Sequence, residues 1–565
     1  MKPLAFILLL LTIGTNCFAQ TFQLKIIGNS TAENKVIDSL QYNASPTNIT
    51  AVLDEISTIL SRLSKNGYLE VQQLEYKKIN DSSYLSKLSL GEKIKFIHIC
   101  IGRNLELIDN SSLITKKDTL TIPYAETELF LGKTLHKLEQ NGFGFAKLQL
   151  VSIKKKNTTV YADLQIDLGR QRQINEIVVK FGDGSSENSF PTGHLKQINR
   201  KYNKSTFNQD VVRKIQNDFK KFGFINQIKS AEVLFTNDAT KVYIYLEQKK
   251  SNTFDGFLGF TNNDNNKLTF NGYLDLNLEN TIKAGEQFSL YWKSNGENQK
   301  TFKTCIELPY IFKTPIGLKA EIAIFKQDSI FQNTKTNINL GYLLDYKTRI
   351  YLGYQTTESS DIQNTNNNLI SDYNNSFLTT DLEYSHIDTV TNAFAKKTTI
   401  SVAIGLGARR TSSAVKPAGN NKQSYININC MYNIYLNPKN YININYQNYF
   451  LKSDSYVINE LYRFGGTKSI RGFAENSLQA NFITAIISEY RYIISPDLYL
   501  HSILDYGYYE DKTSNNKENI VGIGIGAGLR TKNGHLKFSL SSGLNQKQTI
   551  NFQNTIVSVN YDIEF

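Results

Sequence analysis

The chain has 565 residues, 63 Lys plus Arg against 51 Asp plus Glu, a net charge of +12, 40% hydrophobic residues and a mean hydropathy of −0.34. That balance excludes a bundle of membrane helices, and 33 Tyr with 32 Phe exclude a disordered chain, because they supply more buriable surface than such chains carry. The basic excess is mostly lysine spread along the chain, so it reads as a solvated surface rather than a nucleic-acid patch, which needs cations clustered on one element.

Lys2 precedes an apolar run from Leu4 to Ile13, then polar Gly14, Thr15 and Asn16, then Cys17, Phe18 and Ala19 before Gln20. This is the pattern of a secretory signal peptide over residues 1–19, cut after Ala19. The residues before Cys17 make a poor lipoprotein box, so export without lipid attachment is expected. Cys100, Cys305 and Cys430 are too few and too far apart for a disulfide framework. No later apolar run approaches the roughly 18 to 20 residues of a membrane helix, so a membrane position would require a closed barrel.

From Thr21 to Gln248 helical and strand periods mix, and one unit recurs. Helical segments end at Gly67, Gly142 and Gly223, each beside an aromatic residue, at spacings of roughly 75 and 80 residues. Each glycine is expected to supply the left-handed residue that stops a helix. Two strands follow in each unit, over 69–78 and 84–90, then 147–154 and 160–168, then 230–235 and 241–247. The units span 20–91, 92–169 and 170–250, in the order strand, helices, strand, strand. Short mixed sheets of this kind leave open edges, which can accept another chain as an added strand or serve a plain spacer.

After Lys250 the helical period vanishes. About sixteen alternating segments occupy 254–565, at a spacing that suits membrane strands of about 9 to 11 residues with turns and loops. The last segment shows the alternation well, with Val557, Val559, Tyr561, Ile563 and Phe565 on one face. Turn chemistry falls at 313–315, 437–440, 495–497 and 532–534, and long polar stretches at 356–374, 409–422 and 452–480 occupy alternate connections. Gly522, Gly524, Gly526 and Gly528 strip one face of a strand, which calls for something packed closely against it.

The connection before the twelfth strand reads Arg463-Phe464-Gly465-Gly466-Thr467-Lys468-Ser469-Ile470-Arg471-Gly472-Phe473. With this motif the chain resembles the outer-membrane assembly-factor superfamily, the bacterial surface antigen family that includes BamA, TamA and the two-partner secretion transporters. The resemblance covers essentially the whole chain after the signal and, with three repeats, looks most like the TamA arrangement. It implies α+β periplasmic POTRA repeats followed by a 16-stranded antiparallel transmembrane β-barrel in the bacterial outer membrane. It also implies a lumen loop carried by Gly465, Gly466, Ile470, Arg471, Gly472 and Phe473, with Glu489 and Asp505 as acidic partners of Arg471. Ser488 stands where the family has leucine and Ile503 where it has phenylalanine. Tyr561, Ile563 and Phe565 resemble the C-terminal barrel signal.

Alternation along the thirteenth strand independently puts Asp505 on one face with His501 and Gly507. The six histidines are scattered, and no nucleophile elbow or phosphate loop occurs, so no catalytic residue, metal, cofactor or enzyme activity is expected. The implied partners are unfolded outer-membrane or secreted protein clients, outer-membrane lipid and periplasmic accessory proteins, with no nucleic acid. The expected function is outer-membrane protein assembly, capturing clients on repeat edges and inserting them at the barrel seam. The alternative is a two-partner-type secretion pore for one exported protein, against which three repeats rather than two, and the lack of a plug helix before Thr21, are weighed.

Overall fold

The computed structural model describes residues 22–102, 114–116, 118–182, 190–262, 268–295, 299–363, 369–387, 396–413, 416–531, 534–546 and 555–564. The signal segment 1–19 and Phe565 lie outside the described residues. Two compact units are formed, one by residues 1–173 with Ser205–Val211 and the other by Ile174–Lys204 with Val212–Phe565.

The first unit holds two α/β repeats. In the first, Gln23–Ile27 pairs in parallel with Ser83–Ser89, which pairs antiparallel with Gln72–Lys78. Helices α1 (Thr31–Ser39) and α2 (Ile49–Lys65) cover this sheet. Val52, Ile56, Ile59 and Leu63 recur every three or four residues along α2 and are all buried, which makes one apolar stripe toward the sheet. The Asn48 side chain caps the first turn, and Arg62 and Lys65 complement the dipole at the last. Gly67 then takes φ +104°, where a side chain is strained, and a Cβ there would lie 2.4 Å from the Ile94 carbonyl oxygen. The chain entering the second repeat thus rests directly on the helix stop.

Gly142, after α3 (Thr127–Gln140), repeats this arrangement with φ +93° and a hydrogen bond of 2.8 Å from Arg172 N to its carbonyl. The second repeat otherwise departs from the expected order. Ile114–Lys116 and Thr119–Pro123 form a hairpin ahead of α3, in a sheet that continues through Phe96–Cys100, Thr159–Asp167 and Lys147–Lys156. Thr119–Pro123 alternates Leu120 and Ile122 inward, a strand period with β-branched residues. The hairpin covers an edge that the expected order would leave open.

In the second unit, Glu176–Phe181 pairs in parallel with Thr240–Gln248, and Ile225–Gln227 and Glu232–Phe235 pair with the latter antiparallel. Helices α4 (Thr192–Tyr202) and α5 (Gln209–Phe219) complete this third repeat. Gly223 is not left-handed, contrary to expectation: α5 stops earlier, at Phe219, and the turn is held by buried Phe222 and Phe224.

The barrel closes with sixteen antiparallel strands. They are β1 (Thr253–Asn262), β2 (Leu268–Glu279), β3 (Gln287–Asn295), β4 (Gln299–Leu308), β5 (Ile316–Gln327), β6 (Phe331–Leu343), β7 (Thr348–Asp361), β8 (Tyr373–Ile387), β9 (Lys396–Ser413), β10 (Lys416–Asn437), β11 (Asn440–Ser453), β12 (Phe482–Ser495), β13 (Leu498–Asp511), β14 (Asn516–Thr531), β15 (Gly534–Leu544) and β16 (Ile556–Glu564). Exterior positions such as Leu340, Leu352, Leu378, Leu406 and Leu504 are bare, while Asn339, Thr379 and Asp505 face a buried interior. An apolar outside with a polar lumen and backbone groups paired from strand to strand is how strands cross lipid. Among the described residues no helix is long and apolar enough to cross a membrane.

Of the polar stretch 409–422, the described residues 409–413 and 416–422 belong to β9 and β10, which stay paired out to Ser413 and Lys416. The seam is unequal to the other junctions. Among the described residues β1 meets β16 only at Thr253↔Glu564 and Phe254↔Ile563, whereas β15 and β16 pair from Gly534↔Ile563 to Ser541↔Ile556. Beyond those two pairs, the Asp255 carboxylate accepts from the Tyr273 hydroxyl at 2.7 Å and from the Tyr561 backbone N–H at 3.4 Å.

The third repeat docks on the short-turn end of the barrel. His194 of α4 is 2% exposed, and its ring lies 4.7 Å from Tyr310 and 5.8 Å from Tyr346, both in barrel turns. A Cβ on Gly285, in the β2–β3 turn, would lie 2.1 Å from the same ring, so only glycine leaves room. Phe190 and Phe222 close the socket. Burial, helped by the Arg349 charge, lowers the His194 pKa to about 3.

Candidate functional site

The connection between β11 and β12 folds back into the lumen. It starts with a tight turn at Ile458–Glu460, forms a small hairpin of Tyr462–Phe464 with Leu478–Ala480, and carries the motif at its tip. Gly465, Gly466 and Gly472 have φ between +87° and +102°, and a Cβ on Gly472 would lie 2.3 Å from Ser542 of β15. Only glycine lets the backbone turn and touch the wall there. Ile470, Phe473 and Phe464 are buried with Ile483, Ala485, Tyr509 and Ile520 of β12 to β14, so the loop brings its own apolar core. Each such side chain contributes about 1.5–3 kcal/mol on burial.

Arg471 lies at the centre and is 5% exposed. It donates to Asp505 from Nε at 2.8 Å and from Nη2 at 2.6 Å, to the Ser488 carbonyl at 3.1 Å, and from Nη1 to Glu489. Its backbone N–H also donates to Asp505, at 3.0 Å. Asp505 is 0% exposed and has no other cation among the described residues, apart from Arg471. Glu489 has two more, Arg491 at 2.7 Å and Lys537 of β15 at 2.8 Å. Gly522 is the member of the stripped face that admits the loop, since a Cβ there would lie 2.3 Å from the Arg471 carbonyl oxygen. Gly526 and Gly528 instead accommodate the rings of His501 and Tyr499, and Gly524 the β15 backbone.

Ser488 has a structural role that leucine could not fill. The β12–β13 pairs run to Ser488↔Leu504 and resume at Arg491↔His501. Across that interval the Ser488 hydroxyl donates to the Leu504 carbonyl, and the Ser502 hydroxyl accepts from Tyr490 N–H at 3.3 Å. Ile503 is buried on the same face of β13 as Asp505.

Further anchors carry no motif and are invisible to sequence reasoning. Asn459 donates to the Ser359 hydroxyl and the Ser371 carbonyl, and its own carbonyl accepts from Asn333 of β6. Glu460 pairs with buried Arg409 of β9 and accepts from Gln423 of β10. Glu475 meets Lys293 of β3, and Lys468 meets Asp275 of β2, each at 2.7 Å. The loop is therefore held from several sides of the lumen. Tyr561 lies on the outer face, and Ile563 pairs with both Phe254 and Gly534.

Residues 332–531 match the model of the haemolysin secretion/activation protein ShlB/FhaC/HecB family. The matched segment runs from β6 to β14 and includes the loop, Glu489 and Asp505. The fold is similar to that of BamA from Haemophilus ducreyi lacking POTRA domains 1–3, at 14% identity and TM-score 0.46, covering 82% of this chain and 98% of that one. CdiB from Acinetobacter baumannii is similar at 12% identity and TM-score 0.49, covering 82% and 85%, and CdiB from Escherichia coli at 10% and 0.48, covering 91% and 98%. No curated protein matches the chain.

Proposed function

We propose that the chain is a non-catalytic outer-membrane translocator that passes an exported protein partner through its lumen. The observation that carries this reading is the match of residues 332–531 to the haemolysin secretion/activation family, in the segment that contains the pinned loop. It favours secretion over the assembly role expected from the count of repeats. The repeats stand in the periplasm in this reading. The edge strand Gln72–Lys78, exposed along its whole length, offers a place where an unfolded client can add as a strand.

Passage requires the loop to leave the lumen wall. When Arg471 withdraws, Glu489 keeps Arg491 and Lys537, but Asp505 loses its charged partner inside the barrel. The closed state is favoured by that asymmetry, and a client must displace both the ion pairs and the apolar contacts of Ile470 and Phe473.

A second reading, insertion of clients into the membrane at the seam, is favoured by the short pairing of β1 with β16, two residue pairs among the described residues. Depletion of the protein, followed by quantitative profiling of outer-membrane and secreted proteins, separates the two. Loss of one exported protein supports the pore, and loss of many barrels supports insertion. Unchanged profiles would refute both.

A further inference from the structure

At the short-turn end, between the third repeat and the barrel wall, lies an open chamber of about 1050 Å³. Its volume lies just above the roughly 300–1,000 Å³ of small-molecule sites. Eight Lys and Arg side chains line it against three carboxylates. The carboxylates are already engaged: Glu307 by Arg349, Glu383 by Lys319, and Glu279 by the Tyr346 hydroxyl at 2.9 Å. Lys220, Lys249 and Lys250 of the third repeat have no carboxylate partner among the described residues, and the Lys347 ammonium meets the His386 ring, at 2.6 Å, rather than an acid. Burial and the nearby Lys221 charge lower the pKa of Lys347, against the opposing pull of the Asp345 and Asp218 carboxylates.

Peptide-binding groups lie beside this charge. Among the described residues Ile225–Gln227 is an end strand of its sheet, paired with Thr240–Gln248 alone, and all three of its residues line the chamber. Both amide atoms of Gln227 are buried without a hydrogen-bond partner. A plain basic surface would not place a buried, unfilled amide beside the lysines.

We infer that this chamber is a docking site for an extended, acidic segment of the client protein, its carboxylates set against Lys220, Lys249, Lys250 and Lys347 and its main chain beside Ile225–Gln227. Charge complementarity selects the occupant: a neutral chain gains nothing from the unpaired lysines, and a basic one is repelled. The excess of cations over carboxylates leaves a positive field in the chamber, which raises the local concentration of an anionic segment at the lumen mouth. The inference rests on the reading of the barrel as a protein translocator.

The test uses the full chain in detergent or nanodiscs. Fluorescence anisotropy is measured for a labelled glutamate-rich peptide and a labelled neutral peptide of equal length, with inorganic phosphate as unlabelled competitor. The variant combines Lys220→Glu, Lys249→Glu and Lys250→Glu, three exposed positions whose reversal spares the core. The acidic peptide should bind in preference to the neutral one and weaken about tenfold or more in the variant and in high salt. Equal binding of the two peptides, displacement of the acidic peptide by phosphate at equal concentration, or unchanged affinity in the variant would overturn the inference. Export of the partner is scored in parallel: if the variant exports less while its peptide affinity is unchanged, the chamber is refuted and the translocator reading stands.

Discussion

Replacing Arg471 by alanine removes four side-chain hydrogen bonds and leaves Asp505, fully enclosed, with only backbone donors from Ser488 at 3.2 Å and from position 471 at 3.0 Å. An uncompensated buried charge costs about 3–5 kcal/mol. The apolar contacts of Ile470, Phe473 and Phe464 oppose release with about 1.5–3 kcal/mol each, so the loop should stay docked on average but visit the released state far more often. Single-channel recording in planar bilayers should show frequent large openings in Arg471→Ala against rare ones in the parent, together with a lower thermal midpoint. Adding Asp505→Asn to Arg471→Ala removes the stranded charge and should restore part of the stability, a coupling that a double-mutant cycle isolates. Lys537→Ala should cost about 1 kcal/mol or less, because its side chain is 36% exposed and Glu489 keeps both arginines. The reasoning fails if Arg471→Ala matches the parent in conductance and stability, or if Asp505→Asn gives no rescue.

Gly522→Ala forces a methyl group to within 2.3 Å of the Arg471 carbonyl and should destabilise the docked loop by about 1–3 kcal/mol, read as a lower thermal midpoint and more frequent openings. His194 is neutral in its socket, with a pKa lowered to about 3 against 6.5 when unfolded, so its stabilisation is complete above pH 6.5 and is lost as pH falls toward 3. By pH 4.5 the loss should reach about 2–3 kcal/mol, and His194→Phe should flatten that part of the pH dependence of thermal unfolding. Asp255→Ala removes the carboxylate that reaches the Tyr561 amide across the seam, and hydrogen exchange at that amide should accelerate while exchange within the β6–β7 pair is unchanged.

The sixteen strands were legible because lipid on one side and a lumen on the other impose period two, and the breaks at Pro315, Pro438 and Pro496 mark short turns. The second repeat was misread because its hairpin lies where the neighbouring repeat has helices, and only the alternation of Thr119–Pro123 signalled a strand. Polarity at 409–422 suggested a loop, yet strands that extend past the membrane need no apolar face, and Arg409 is drawn inward by Glu460. Asp505 shares a face with His501 by simple alternation, whereas the role given to Arg471 came from resemblance alone. The partners Lys537, Lys293 and Asp275, and the contact of Asn459 with Ser359, depend on which strands face one another across a closed barrel. That is set by shear and closure, which leave no local pattern.

The central claim, that the loop closes the path a client must take, is tested by fastening it to the wall. Lys293→Cys with Glu475→Cys, joined by a short cleavable cross-linker in a chain whose Cys100, Cys305 and Cys430 are serine, would hold the loop at a contact now 2.7 Å long. Export of the protein whose surface level depends on this chain should stop when the linker is in place and resume when it is cleaved. Export at the parent rate through a fully cross-linked barrel would contradict the account.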